Sequence, residues 1–210
     1  KEGSAKKFNE EKFTPMVEVT PALSALIPVM SKRDRDNKWG FKGFPGGFLK
    51  FVSSNSPSEV KSTPAPVVCV EEPDDCNSDV KQQGDTIKLL EERTKSFPRR
   101  KILSGGTPTV SGISKVEAAY RESDKRNFFV KCPHCGEWQT LSWENVSWQH
   151  EEGRNHEIFG DALPETAVYN CPHCGAQWSN ELKNRAVKHG EWRATAPFTG
   201  IAGFYINELY

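Results

Sequence analysis

The sequence predicts an α/β protein: a parallel sheet followed by a small, β-rich region stapled by metal. Three observations carry this. The short continuous apolar run Pro66-Val-Val-Cys-Val70 has the texture of a strand buried on both faces of a parallel sheet. From that run onward, strand and helix patterns alternate as far as Tyr120. Beyond them the tetrad Cys-Pro-His-Cys-Gly occurs twice, at Cys132–Gly136 and at Cys171–Gly175.

Taken in chain order, Ala5, Phe8 and Phe13 form a weak helical pattern that ends at Pro15, and Pro21–Ile27 is a second short helical segment stopped by Pro28. Ser31–Lys38 is a mixed charge run, read as a solvated loop. Phe44-Pro-Gly-Gly47 is a turn signal and Phe48–Val52 after it reads as a strand. The run Val67–Val70 ends abruptly in Glu71-Glu-Pro-Asp-Asp75. A helix begins near Asp85 with Ile87, Leu90 and Thr94 on one face, and Arg100–Leu103 is the next strand, closed by the loop Ser104–Thr109. A further helix starts near Ser111, with Ile113, Val116 and Tyr120 sharing a face and Ser114 with Glu117 forming a capping box. After about Asn127 the strand candidates are Phe128–Val130, Gln139–Trp143 and Thr166–Tyr169, with residues 151–165 as a long loop.

The 210 residues carry 28 basic and 28 acidic side chains, so net charge supplies no global argument for a nucleic-acid partner, although local basic patches remain open. No apolar run approaches the roughly 18 residues a membrane span needs. Lys1 begins the chain with no signal-peptide pattern after it, and the final Ile201–Tyr210 is apolar. Both ends read as cuts through something larger.

The duplicated tetrads carry the strongest chemistry. Two thiolates separated by two residues grip one metal from a tight turn, and the trailing glycine allows positive φ there. Two such turns supply four thiolates, the number Zn²⁺ takes in a closed tetrahedral site. Cys132, Cys135, Cys171 and Cys174 are therefore the expected ligands of one structural zinc. With the shell closed by cysteine, His134 and His173 point outward. Trp138 and Trp178 follow the two turns at similar offsets and pack over a small core.

Two adjacent acids at the carboxyl end of a buried strand stand where open α/β sheets bind ligands. In nucleotide hydrolases one such acid holds Mg²⁺ and its neighbour orients the attacking water. A solvated acidic turn is an equal alternative, since Asp74 and Asp75 follow. The loop Ser104–Thr109 is either a simple Gly-Pro turn or, placed beside the first strand, a sensor of the nucleotide. No G-x-x-x-x-G-K-[ST] phosphate cradle occurs, so this segment by itself is expected to bind ATP poorly.

The order Thr20-Pro-Ala-Leu23, Phe44-Pro-Gly-Gly47, Asn55-Ser-Pro-Ser58, Val67-Val-Cys-Val-Glu-Glu72, Thr107-Pro-Thr109, Cys132-Pro-His-Cys-Gly136 and Gly203-Phe-Tyr-Ile-Asn-Glu-Leu-Tyr210 resembles the large terminase subunit of lambda-like tailed phages. The resemblance implies a partial P-loop NTPase sheet of the RecA/ASCE type, lacking Walker A, over residues 1–125. It implies a zinc-ribbon-like subdomain at 126–182 and a return toward a nuclease domain at 183–210. The function it implies is a motor that spends ATP to drive viral DNA into a procapsid, with a separate nuclease cutting concatemers, in the host bacterial cytoplasm. Its partners would be double-stranded DNA, the small terminase subunit and the portal or procapsid, on which it oligomerises. Its cofactors would be ATP and Mg²⁺ beside the structural zinc.

Carried onto this sequence, Glu71 takes the Walker B magnesium position and Glu72 that of the catalytic glutamate. Gly106, Thr107 and Thr109 take the coupling motif. The family usually has Asp-Glu where this chain has Glu71-Glu72, and Ser-Thr-Pro-Thr where it has Gly106-Thr-Pro-Thr. Three other readings compete: a non-enzymatic zinc-ribbon module that binds nucleic acid or protein, a helicase-like translocase of another system, and a decayed prophage remnant.

Overall fold

Prolines, glycines and short polar caps divide this chain into brief elements, and the computed structural model describes them over residues 2–27, 37–79 and 81–210. The charge run at 31–38 lies outside these residues except for Asn37 and Lys38. The elements gather into two compact units, Lys1–Thr109 and Val110–Tyr210.

In the first unit, helix α1 (Glu2–Phe8) runs through a π turn, Asn9–Phe13, into α2 (Thr14–Val19), and α3 (Pro21–Leu26) follows. The helical run therefore passes the proline expected to end it. Pro15 sits in the first turn of α2, where its missing N–H costs least, and the π turn before it widens the coil its ring would otherwise strike. Strands β1 (Asn37–Lys38), β2 (Phe41–Phe44) and β3 (Gly47–Lys50) form an antiparallel meander. The predicted Phe48–Val52 strand is thus shifted toward its turn, where Gly46 takes φ 83 after Pro45. Phe41 stacks on Phe48 at 5.3 Å, and Phe8 and Phe13 both pack on Phe51.

After α4 (Pro57–Lys61) come β4 (Val67–Glu71), α5 (Thr86–Glu92) and β5 (Lys101–Gly105). β4 and β5 pair in parallel with α5 as their crossover, as the alternating pattern predicts. Asp85 caps α5 by accepting the N–H groups of Ile87 and Lys88 at 2.8 and 3.2 Å. Thr86 and Thr94 are fully buried beneath it, and Thr86 donates to the Ser54 carbonyl at 3.0 Å. Burial on both sheet faces does not hold. Val70 is buried, but Val67 is 49 % exposed and all of β5 lies open. Among the described residues no third strand joins this pair, so a two-stranded sheet has too little cover for both of its faces.

The second unit opens with α6 (Lys115–Glu122), capped by Ser114, whose Oγ accepts the Glu117 N–H at 3.1 Å. Glu117 closes the cap on Gly112 N, at 2.8 Å, instead of on Ser114. Ile113 therefore precedes the helix and is 80 % exposed, not on its packed face. Strand β6 (Arg126–Lys131) turns through the first tetrad into β7 (Trp138–Gln139). β8 (Val146–His150) and β9 (Ala162–Asn170) form a hairpin, and β9 turns through the second tetrad into β10 (Gln177–Trp178). The long loop is accordingly shorter than expected, since 162–165 extend β9. Helix α7 (Asn180–Val187), β11 (Glu191–Arg193) and β12 (Phe204–Tyr205) complete the unit, with β11 and β12 flanking β6.

One core serves all of this: Val130, Cys132, Leu141, Tyr169, Cys171, Trp178 and Leu209. The last residues belong to it. Tyr210 Oη accepts the Leu141 N–H and donates to the Phe128 carbonyl, both at 2.8 Å. Buried Asp124 holds the returning chain by accepting from Gly203 N at 3.1 Å and from Arg126 Nε at 2.8 Å.

Candidate functional site

The two tetrads fold into matching turns. Cys132 N donates to Glu137 O and Gly136 N to Cys132 O, at 2.8 and 3.0 Å. Cys171 N donates to Ala176 O and Gly175 N to Cys171 O, at 2.9 and 2.8 Å. Gly136 and Gly175 take φ of 78 and 70, which their lack of a β-carbon permits without strain. The turns face each other, so all four sulfurs lie within 4.8 Å of one another. Cys132 and Cys174 are 3.9 Å apart, and Cys135 and Cys171 4.0 Å. Zinc–sulfur bonds of about 2.3 Å at tetrahedral angles require sulfurs about 3.8 Å apart, whereas a disulfide requires about 2.05 Å. The residues fit a four-thiolate zinc site and not a pair of disulfides.

The electrostatics agree. Burial pushes Cys171 up, but the N–H groups of His173 and Cys174, with help from Cys132 and the Gln139 amide, outweigh it and bring this thiol down to about 6. For Cys135 the Glu137 backbone pulls downward, yet burial and the neighbouring thiols push it up to about 12. Four thiols this close cannot all ionise unaided, and a divalent cation removes that conflict. His134 and His173 are exposed, and Trp178 is fully buried in the core. Trp138 is half-buried under the Arg193 guanidinium, 4.2 Å from its ring centre.

A shallow hollow of about 620 Å³ lies between the first turn and α7. Lys131, Arg185, His134 and His189 line it, with no carboxylate among the lining residues. Zinc with four thiolates carries a net charge of −2, so the two permanent cations here match the centre's own charge.

In the first unit the parallel register sets Glu71 opposite Gly105. Glu72 N donates to Gly105 O at 3.0 Å, and the Glu72 backbone turns to φ 49, ψ 64. That turn aims its carboxylate at the facing loop, where Oε2 accepts Thr107 N at 3.3 Å. Two residues on, Asp74 Oδ2 accepts both Thr109 N and Thr109 Oγ1, at 3.0 and 2.9 Å. The acids and the Gly106–Thr109 loop are thus brought together as one edge. Glu71 itself pairs with Lys12 at 3.2 Å, with both side chains more than half exposed. Such a pair is worth at most about 1 kcal/mol, a weak obstacle to a competing cation.

The sequence reading missed Asp74, Lys12 and Gln139. Asp74 had only the appearance of one acid among several, and Lys12 lies 59 residues from its partner. Gln139 was placed in a strand, with no sign of its contact to Cys171.

The family model described as phage terminase large subunit gpA, ATPase domain, matches residues 1–192. The chain belongs to this terminase family. Over 144 residues it is 28 % identical to the terminase large subunit of Enterobacteria phage P21, covering 68 % of this chain and 22 % of that protein. Over the same length it is 30 % identical to that of Escherichia phage lambda, again 68 % of this chain and 22 % of the relative. The chain thus spans under a quarter of these terminase subunits. No solved structure matches it. The matched terminase region includes both the acidic edge and the cysteine centre. Among the described residues no helix is long and apolar enough to cross a membrane.

Proposed function

We propose that this chain is part of the ATP-driven motor that packages phage DNA into a procapsid, in a longer protein that also cuts concatemeric DNA. Membership of the terminase ATPase-domain family supports this reading. The observation that carries it to particular residues is the juxtaposition of Glu71, Glu72 and the Gly106–Thr109 loop at the carboxyl ends of two paired parallel strands. That edge is where α/β sheets of this kind bind their ligands.

In this reading the fold is a P-loop type sheet, and Glu71 supplies an oxygen ligand for Mg²⁺ once Lys12 gives way. Bound there, magnesium would neutralise charge on a transferred phosphoryl group. Glu72 orients the attacking water. Its Oε2 rests on Thr107 N while Oε1 is the oxygen left for the water, which ties the acid's position to the coupling loop. Asp74 holds the far end of the same loop through Thr109. The cysteine centre is a zinc-ribbon-like staple with a closed shell, which supports folding and leaves no open position for chemistry.

The test is Glu72→Gln in the terminase that carries this segment. ATP hydrolysis is expected to vanish while ATP binding persists. Turnover near wild type would remove Glu72 from the catalytic role.

A further inference from the structure

The two cysteine turns repeat one arrangement with different residues at its inward positions. Residues two before the first cysteine, Val130 and Tyr169, pair with residues four after the second, Gln139 and Trp178. All four face inward: Val130 and Trp178 are fully buried, Tyr169 is 3 % exposed and Gln139 5 %. The neighbouring pair lies toward the surface and is inverted. The first turn reads Glu137-Trp-Gln139, the second Ala176-Gln-Trp178. One repeat therefore places an aromatic ring at the inward position and the other an amide.

A buried amide at a core position is unfavourable unless its atoms find partners. Gln139 Oε1 has no partner among the described residues. Its Nε2 has one: it lies 3.5 Å from the sulfur of Cys171, across the site in the other turn. Cys171 is also the buried sulfur that His173 N and Cys174 N support. From this geometry we infer that Gln139 is a positioning residue of the metal centre, holding the Cys171 thiolate by an N–H···S bond from the opposite turn. The inference rests on the zinc reading above. An N–H donated to a thiolate lowers the energy of the sulfur lone pairs and fixes the sulfur's direction, so metal leaves more slowly. Because the donor comes from the other turn, it also ties the two halves of the ribbon together independently of the metal.

The experiment uses the full 210-residue chain, with Gln139→Met to keep the volume and remove the donor. Gln177→Met, at the outward position of the other turn, is the control. Zinc loss to a coloured chelator is timed, and the sulfur-to-metal charge-transfer bands are recorded after exchange of zinc for Co²⁺. Gln139→Met is expected to release zinc about ten- to a hundredfold faster. Its charge-transfer bands are expected to move to lower energy, a shift that loss of packing alone does not produce. Gln177→Met is expected to match wild type in both. If Gln139→Met does not accumulate folded, Gln139→Leu, which keeps the inward position apolar and removes the donor, carries the same test. Release within twofold of wild type with unmoved bands overturns the inference while leaving the zinc reading intact. A wild-type chain that holds no zinc overturns both.

Discussion

A β-carbon on Gly106 would stand 2.5 Å from Glu72 Oε2 and 3.1 Å from Glu72 Cα. The glycine is what lets the Glu72 carboxylate lie against the loop and accept Thr107 N. Gly106→Ala is therefore expected to swing the carboxylate away. The clash falls mainly on the free end of a flexible side chain, so the cost in stability should stay below about 1 kcal/mol. The Thr107 amide resonance reports the outcome: an unmoved signal would mean that Glu72 does not rest there.

The sulfur geometry predicts about one zinc per chain, measured by elemental analysis of protein purified without added metal. Structural zinc contributes roughly 10–16 kcal/mol in small modules, comparable to or above a domain's whole stability. Chelation is therefore expected to unfold the second unit, seen as a red shift and loss of structure around buried Trp178. Cys171→Ser should do the same without chelator. A metal-free chain that keeps its full fold would sink the idea.

Glu71→Asp shortens the acid by one methylene. Under the proposed motor reading it is expected to keep or improve Mg²⁺ use, because the ion demands near-ideal octahedral geometry at short range. A large loss of activity would show that this edge has adapted to glutamate.

Gly203 and Gly190 are close-approach positions. A β-carbon at Gly203 would meet Ser123 Oγ at 2.0 Å and Ser123 Cβ at 2.7 Å. At Gly190 it would meet the Phe128 ring at 2.3 Å and the Phe129 carbonyl at 2.8 Å. These neighbours are backbone or packed side chains, so alanine at either site is expected to cost about 1–3 kcal/mol. Urea melts followed by tryptophan fluorescence measure it, and a change under about 0.5 kcal/mol would contradict the packing described.

The Gly112 N–H, with Arg121 and Ser111, holds the Glu117 carboxyl below its usual range. A lowered folded-state pKa gives stability that is present above the unfolded pKa and is lost as pH falls through the folded one. Protection of the Gly112 amide, its exchange relative to the intrinsic rate at the same pH, is thus expected to fall on acidification below the ordinary glutamate range, and Glu117→Gln to remove that pH dependence. A Gly112 amide whose protection has the same pH profile in both proteins would exclude the contact.

Local rules made much of this protein legible from its sequence. The tetrads named the four sulfurs because two residues between cysteines and a following glycine specify a turn whatever surrounds it. Asp85 announced the start of α5, since a cap needs only the next turn of the same helix, whereas α6 begins after Ser114 and not near Ser111. Alternation of strand and helix announced the parallel pair β4–β5. Tertiary structure decided the rest, because the deciding contacts join residues far apart in the chain. The exposure of β5 depends on which strands stand beside it, not on its own apolar residues. Pro15 continues a helix because the turn before it widens. Asp74 reaches Thr109 across 35 residues, and Gln139 reaches Cys171 across 32. A hydrogen bond across such a distance leaves no periodicity or spacing to read; only the folded chain brings its donor and acceptor together.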